Sequence, residues 1–387
     1  MRAYSATDEE AVRARDLLKD WAGEGFLTKA QYEQMEPETA CALRRTNVFL
    51  RIVLFLFTVL IVVAAVALFF SSGPTSDAVV LLIFAAVAYA GAELAVSQAR
   101  LYRFGIEEAL AACSVGLLCA GIVSATRPAS QDLLAPAGSA LVSLWIWHRF
   151  GFAYAFPAAM LFVAWFADES TQSHTAQHVI AAAIYAAGLI AIAILRPRYR
   201  LTYLKDNHSI AEAFLWLGIY LAINLKLSTS DILLEWRGGF RTADEFARPF
   251  YWATWVLTWC LPPVVLVRGV RLRDRFVIAV GVVVAILTLA TNKPYLGWTR
   301  HTWDPMLLGA LLIGVALFIR RWLAAGPDEI RHGFTARRLS GKDKRWLNAG
   351  ITVAGLASTN VIAPKASSPE VRFGGGQSGG GGASSDF

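Results

Sequence analysis

VFLRIVLFLFTVLIVVAAVALFF, the stretch from Val48 to Phe70, decides the fold of this chain. Its only charged residue is Arg51, near its start, and the rest is apolar apart from Thr58. A helix needs about 20 mainly apolar residues to cross the hydrocarbon core of a bilayer, and this stretch is long enough. Similar stretches recur along the chain. The sequence therefore predicts an all-α fold, a polytopic bundle of transmembrane helices with the lipid bilayer as its principal partner.

Composition agrees with a membrane protein. The chain has 387 residues, of which 56% are hydrophobic and only 17% are charged, and its mean hydropathy is +0.47. A soluble protein carries about 25% charged residues. The formal net charge of +7 comes from basic residues in short loops between apolar runs, as membrane topology requires. We therefore expect no nucleic-acid partner.

Ten apolar runs predict about ten spans in a bundle that covers residues 47–323. The runs lie at about 48–70, 78–97, 106–125, 133–149, 151–167, 178–195, 209–228, 249–267, 276–292 and 304–323. Almost no loop separates 133–149 from 151–167, so this pair is either two full spans or a tight re-entrant hairpin. The first run begins too late and is too long for a signal peptide, so we expect it to stay as an anchor.

Lysine and arginine set the expected orientation. Even-numbered loops between the runs carry 11 of these residues and odd-numbered loops carry 6. Cytoplasmic loops of membrane proteins are enriched in Lys and Arg. The even loops are therefore predicted to be cytoplasmic, and with ten spans the N-terminus and the C-terminus are cytoplasmic too.

Residues 1–46 are polar and predict a short cytoplasmic helical hairpin before the bundle. Gly23 and Gly25 are expected to stop its first helix. The second helix is expected to start at Thr28, because Thr28 and Gln31 have the spacing of a capping box.

The run LLKDWAGEGFLTKAQYEQM, with Trp21, Gly25, Leu27, Thr28 and Gln31, resembles the N-terminal segment of a known family. The family is domain-of-unknown-function family 2157, a group of bacterial multi-span membrane proteins in which such a hairpin precedes a series of transmembrane helices. The resemblance implies a multi-pass protein of the bacterial cytoplasmic (inner) membrane. It implies no activity, since the family has none established. The hairpin either shields the cytoplasmic end of the bundle or binds a protein partner.

Ionisable residues in or beside the spans are functional candidates by default. Glu93 lies toward the cytoplasmic end of the second span, and Glu107 begins the third. Arg103, in the loop between them, is expected to pair with Glu93. The alternatives for this group are a structural ion pair or a proton- or cation-linked site.

Polar residues predicted near the outer face form a second set of candidates. Asn224 and Lys226 lie near the outer end of the seventh span, where a lysine can extend to the interface. Arg300, His301 and Asp304 lie among aromatic residues in and beside the last outer loop. These side chains either bind a lipid headgroup or a sugar, or anchor the protein at headgroup depth.

Metal, cofactor and catalytic signals are weak. His174 and His178 are four residues apart and could share a metal, but no third ligand has a fixed spacing to them. We expect no cofactor. No HExxH, GxSxG, Walker A or GxGxxG-after-strand pattern is present, so we do not predict an enzyme. An intramembrane enzyme that acts on lipids is the least favoured alternative.

Residues 324–387 predict a cytoplasmic tail that is first basic and then glycine-rich. Residues 346–361 are modestly apolar and are expected to lie on the inner membrane surface. The end, FGGGQSGGGGASSDF, is typical of a flexible tract. It is also a candidate site for a protein partner, and similar tails occur on some bacterial envelope proteins.

Three function classes remain open from the sequence, and the intramembrane enzyme is the least favoured of them. The first is a transporter or permease for a small or lipid-linked solute, which predicts a water-filled cavity lined by Glu93 or Asn224. The second is a non-catalytic envelope scaffold or regulator that acts through its cytoplasmic ends. A scaffold predicts a packed bundle without a cavity.

Overall fold

Helices make up nearly all of the regular structure in this computed structural model. The structure describes residues 2–72, 76–126, 133–199, 205–227, 246–296 and 303–326, together with 330–331 and 334–335. The predicted surface-lying segment 346–361 and the glycine-rich end lie outside the described residues. The all-α prediction is confirmed for the described part of the chain, apart from one minimal strand pair.

Two short helices precede the apolar ones. They are α1 (Ala6–Gly23) and α2 (Lys29–Met35), and a 3₁₀ turn, Pro37–Thr39, follows. The apolar helices are α3 (Val48–Ser72), α4 (Asp77–Ser97), α5 (Ile106–Thr126), α6 (Leu134–Phe150), α7 (Ala155–Ser170), α8 (His174–Tyr199), α9 (Lys205–Ile223), α10 (Arg248–Leu272), α11 (Arg275–Tyr295) and α12 (Asp304–Ala324). After α12, β1 (Ile330–Arg331) pairs antiparallel with β2 (Phe334–Thr335).

Seven helices in the described residues are long and apolar enough to cross a membrane. They are α3, α4, α5, α8, α10, α11 and α12. The architecture is therefore that of a multi-pass membrane protein. The predicted runs 133–149, 151–167 and 209–228 are also helical, as α6, α7 and α9, but these helices do not meet that criterion. With 17 and 16 residues, α6 and α7 are only about 24–26 Å long. The predicted count of ten spans is thus not confirmed.

Consecutive helices pack as antiparallel neighbours, most extensively α4 with α5, α10 with α11, α6 with α7 and α8 with α9. Small side chains let the α4 and α5 backbones approach, since Ala92, Ala109 and Ala111 are completely buried. Small residues are the usual helix-packing surface in lipid, where apolar burial alone gives little drive for association.

The two end helices of the series present apolar surface to their surroundings. Only 6% of the most apolar window of α3, and none of that of α12, is buried. Phe49 of α3, for example, is 77% exposed. Such surfaces are expected where the solvent is hydrocarbon, and they indicate that α3 and α12 face lipid.

The N-terminal residues lie against one end of the apolar helices. The Ala3 N–H donates to the Arg149 carbonyl at the end of α6 over 2.8 Å. Arg13 of α1 pairs with Asp206 of α9 at 2.9 Å. Tyr4 is buried and packs edge-on against Tyr102, with ring centroids 4.9 Å apart. Burial raises the pKa of both tyrosines, so both hydroxyls stay protonated at neutral pH.

The predicted capping box of α2 is present. The Gln31 N–H donates to Thr28 Oγ1 at 3.3 Å, and the Thr28 N–H donates to Gln31 Oε1 at 3.0 Å. This reciprocal pair satisfies two backbone donors that the first turn of a helix leaves without intrahelical acceptors. It explains why α2 begins at Lys29.

Candidate functional site

A cavity of about 580 Å³ lies between α7, α8 and α9. Most of its wall is apolar. The larger apolar side chains that line it include Met160, Leu161, Tyr185, Phe214 and Leu221. Typical small-molecule sites span roughly 300–1,000 Å³ and have mainly apolar walls with a few polar groups. The cavity therefore has the size and the wall of a ligand site.

Small residues create this space. Ala164 and Ala167 from α7, Ala181 from α8 and Gly218 from α9 all face the cavity. A Cβ at Gly218 would lie 2.3 Å from the Met160 Cε, so the glycine leaves room for the end of the Met160 side chain. The Tyr185 hydroxyl donates to the Met160 carbonyl at 2.7 Å, which ties α8 to α7 across the cavity.

Apart from the Tyr185 hydroxyl, which is bound to the Met160 carbonyl, the polar groups of the cavity gather at one end, where α7 ends and α8 begins. They include Asp168, Gln177 and His178. Gln177 Nε2 donates to the carbonyls of Asp168 and Thr171, each at 2.8 Å. The His178 ring nitrogen Nδ1 is 2.8 Å from the Ala222 carbonyl of α9 and donates to it. The cavity is thus amphipathic, with a polar rim and a long apolar interior.

The predicted metal pair does not act as a unit in the described structure. His174 Nδ1 is 3.0 Å from Gln177 Oε1, whereas His178 Nδ1 contacts the Ala222 carbonyl. Among the described residues, no group of three His, Cys, Asp or Glu side chains could hold a metal ion. His178 therefore enters the candidate site as a rim residue and hydrogen-bond donor.

The predicted Glu93–Arg103 pair is wrong. Glu93 instead accepts from Arg149 of α6, with Oε1–Nε at 2.7 Å and Oε2–Nη2 at 2.9 Å. Tyr89 also donates to Glu93 Oε1, at 2.9 Å. Arg103 adopts a left-handed turn conformation, φ 52°, and stacks over Tyr102. A planar guanidinium from a neighbouring helix reaches both carboxylate oxygens at once, and the local turn does not offer this geometry.

Glu107 and its neighbour Glu108 have different environments. Glu107 is completely buried, and its Oε1 accepts the Phe104 N–H at 2.7 Å, so it caps the start of α5. Glu108 binds Arg51 of α3, with Oε2–Nε at 2.6 Å. Sequence reasoning overlooked Glu108 as the partner of Arg51, because the two residues are 57 positions apart.

A third ionic cluster, also overlooked from the sequence, centres on Glu212 of α9. This carboxylate is 2% exposed. Its Oε2 lies 2.8 Å from Arg196 Nη1 of α8, and its Oε1 lies 2.6 Å from Arg268 Nε of α10. Asp274 stands 3.7 Å from Arg196. A glutamate four residues into an apolar run carries the same signal that singled out Glu93, so the sequence did contain this candidate.

Asn224 is completely buried but does not line the cavity. Its Nδ2 donates to the Tyr220 hydroxyl at 2.8 Å and to Thr291 Oγ1 of α11 at 3.0 Å. It therefore cross-links α9 to α11. Lys226 lies over the Tyr251 ring, with Nζ 5.7 Å from the centroid. Neither Glu93 nor Asn224 lines the cavity, so the lining expected from the sequence is wrong.

The last outer loop is described only in part. Arg300 and His301 lie outside the described residues. Asp304 pairs with Lys293, whose Nζ also lies 5.6 Å from the Trp303 ring centroid. These contacts join the end of α11 to the start of α12.

Comparison with known proteins gives no assignment. No protein-family model matches the chain, and neither a curated protein nor a solved structure matches it. The resemblance to family 2157 therefore stays a prediction.

Proposed function

We propose that this multi-pass membrane protein is a transporter or permease that takes a lipid-linked or lipid-like amphiphile into the cavity between α7, α8 and α9. The observation that carries the proposal is the cavity itself, which joins an apolar interior to a rim of Asp168, Gln177 and His178. An amphiphile would place its chain in the interior and its polar head at the rim.

The lining favours this substrate class over a small water-soluble solute. A polar solute needs several convergent polar groups along its path. Here the polar groups lie at one end, apart from the Tyr185 hydroxyl, which is already bound to the Met160 carbonyl. Glu93 and Asn224, the deep polar residues expected to serve such a solute, are already bound to Arg149 and to Tyr220 with Thr291. Of the two solute classes that the sequence left open, the lipid-linked one fits better.

We further propose ten spans, with both termini on the cytoplasmic side of a bacterial inner membrane. The course of α9 supports this count. Near its start, Glu212 meets Arg196 at the end of α8, and near its end, Ala222 meets His178 at the start of α8. Since these contacts place α9 antiparallel beside α8 from His178 to Arg196, and α8 is long and apolar enough to span, we expect α9 to cross as well.

A scaffold or regulatory role is the second candidate, because apolar side chains remain exposed in the N-terminal segment. Phe26 is 73% exposed, Trp21 46% and Met35 39%. The segment lies outside the apolar helices, and we place these side chains outside the hydrocarbon. A protein partner would cover them, as the resemblance to family 2157 also allows.

The test for the main proposal is to fill the cavity. Ala181 is buried and faces the cavity, whereas Val179 on the same helix is 53% exposed and does not line it. We expect Ala181→Trp to remove a co-purifying amphiphile that mass spectrometry detects in the wild-type protein. Val179→Trp, the matched control, should retain it.

Transport is measured separately, with the protein reconstituted in vesicles and presented with the identified amphiphile. Ala181→Trp should abolish its movement between leaflets. The proposal would be contradicted if Ala181→Trp bound as much amphiphile as the wild-type protein while having the same unfolding temperature.

A further inference from the structure

A second cavity, of about 530 Å³, lies on a different face of α9, between α9 and α10. Its wall includes Trp216 from α9 and four residues of α10, namely Val264, Val267, Arg268 and Arg271. None of these residues lines the cavity between α7, α8 and α9. The two cavities are therefore separate.

One face of α10 changes from apolar to cationic along this second cavity. Positions 264, 267, 268 and 271 are spaced three and four residues apart, so their side chains project from the same face of the helix. Val264 and Val267 are 52% and 50% exposed. Arg268 and Arg271 follow toward the helix end that we predict to be cytoplasmic. The face thus has an apolar part at hydrocarbon depth and two guanidinium groups beyond it.

The arginines at this end exceed the carboxylates that face them. Glu212 is shared by Arg196 and Arg268, and Asp274 adds one more carboxylate, 3.7 Å from Arg196. Arg271 is exposed and has no partner within the described part of the chain. Arg273 is exposed as well. The cluster therefore keeps a net positive charge beside an open cavity.

We propose that this groove binds the phosphate headgroup of an anionic phospholipid, with Arg271 and Arg268 on the phosphate and an acyl chain along Val264 and Val267. Basic pockets between transmembrane helices on the cytoplasmic side are suited to anionic lipid headgroups. Guanidinium groups bind phosphate oxygens in a planar, bidentate geometry. A free phosphate ion would bind the arginines alone, whereas a lipid would also cover Val264 and Val267.

The experiment uses the purified full-length protein in detergent and native mass spectrometry with phosphatidylglycerol, phosphatidylcholine or inorganic phosphate as probe. We expect phosphatidylglycerol to bind more tightly than phosphatidylcholine, whose choline cation offsets the charge of the same phosphate group; equal binding of the two lipids would overturn the proposal. Arg271→Gln should weaken phosphatidylglycerol binding about fivefold, the order expected for one basic residue at a lipid surface.

Arg320→Gln is the matched control, since Arg320 is an exposed arginine on α12 near the same predicted side. It should leave binding unchanged. If Arg271→Gln and Arg320→Gln weakened phosphatidylglycerol binding equally, the lipid would be responding to the general surface charge of the protein. That result would overturn the proposal.

Two further arms separate the lipid from free phosphate. Excess inorganic phosphate should not displace phosphatidylglycerol, and Val267→Gln should weaken phosphatidylglycerol binding. Displacement by phosphate, or a Val267→Gln protein that binds the lipid like wild type, would overturn the assignment to a lipid.

Discussion

Among the described residues, three carboxylates of the apolar helices bind arginines from other apolar helices. The pairs are Glu93 with Arg149, Glu108 with Arg51, and Glu212 with Arg196 and Arg268. An unpaired charge in a low-dielectric medium is costly, so a carboxylate at a helix end in the membrane needs a partner. Each of these contacts fastens two or three helix ends together. At the scale of single residues, the ionic groups hold the bundle and do not line the proposed substrate cavity.

Glu212 should be the most sensitive of these carboxylates, because it serves two arginines. Glu212→Gln would leave Arg268 without its anionic partner and Arg196 with Asp274, 3.7 Å away. We expect a loss of roughly 1–3 kcal/mol in the free energy of unfolding, below the value for fully buried pairs because the arginines are partly exposed. Denaturant unfolding of the purified protein, followed by tryptophan fluorescence, measures this loss.

Glu36→Gln is the control for that measurement. Glu36 also pairs with an arginine, Arg15, at 2.8 Å, but both side chains are more than one-third exposed. We expect a much smaller change for this variant. Equal effects of the two substitutions would mean that burial does not decide the role of Glu212.

Among the elements, the start of α5 depends on a single glycine. Gly105 has φ +104°, and a Cβ at this position would lie 2.2 Å from the Arg51 carbonyl of α3. The glycine therefore allows the α3 backbone to approach the first turn of α5, where Arg51 meets Glu108. Residues other than glycine are strained at such φ values. The nearby Arg51 atoms belong to the backbone, which cannot move aside as the end of a flexible side chain can.

Gly105→Ala should consequently destabilise the protein by about 1–3 kcal/mol or prevent correct packing of α3. Gly116→Ala, inside α5, should be neutral or slightly stabilising, because a Cβ there meets nothing within 4 Å and alanine favours helix. Thermal unfolding of the two variants in detergent checks both expectations. A Gly105→Ala protein as stable as Gly116→Ala would show that α3 does not approach α5 this closely.

For the whole molecule, α9 decides the topology. If α6 and α7 formed a re-entrant hairpin, two crossings would be lost together and the side of the C-terminus would not change. If α9 alone did not cross, helices α10 to α12 would cross the membrane in the opposite direction. The arginines at 268, 271, 273 and 275 would then lie on the outer side. That arrangement contradicts the usual cytoplasmic enrichment of Lys and Arg.

Reporter fusions test this topology. A fusion after Gly326 should give green fluorescence and no alkaline phosphatase activity, as expected for a cytoplasmic position. A fusion after Ser173, between α7 and α8, should give the opposite result. Phosphatase activity after Gly326 would show that α9 does not span, and it would remove the support for ten crossings.

Local features were predictable from the sequence. Hydropathy located the apolar helices, and the Thr28–Gln31 spacing located the start of α2, because both depend on residues within a few turns of one another. Hydropathy alone did not establish that α9 spans, since its first turns contain Lys205, Asp206 and Glu212. The partners of Glu212 lie 16 and 56 positions away, beyond the reach of any local pattern.

The sequence by itself determined that this is a helical, multi-pass membrane protein, because the transfer of apolar residues into lipid depends on composition and length. Tertiary structure decided which charges meet, replacing Arg103 by Arg149 as the partner of Glu93. It also placed a cavity where small residues of α7, α8 and α9 face each other. Helix packing in lipid depends on shape and on distant polar partners, and these become specified only when the helices are assembled.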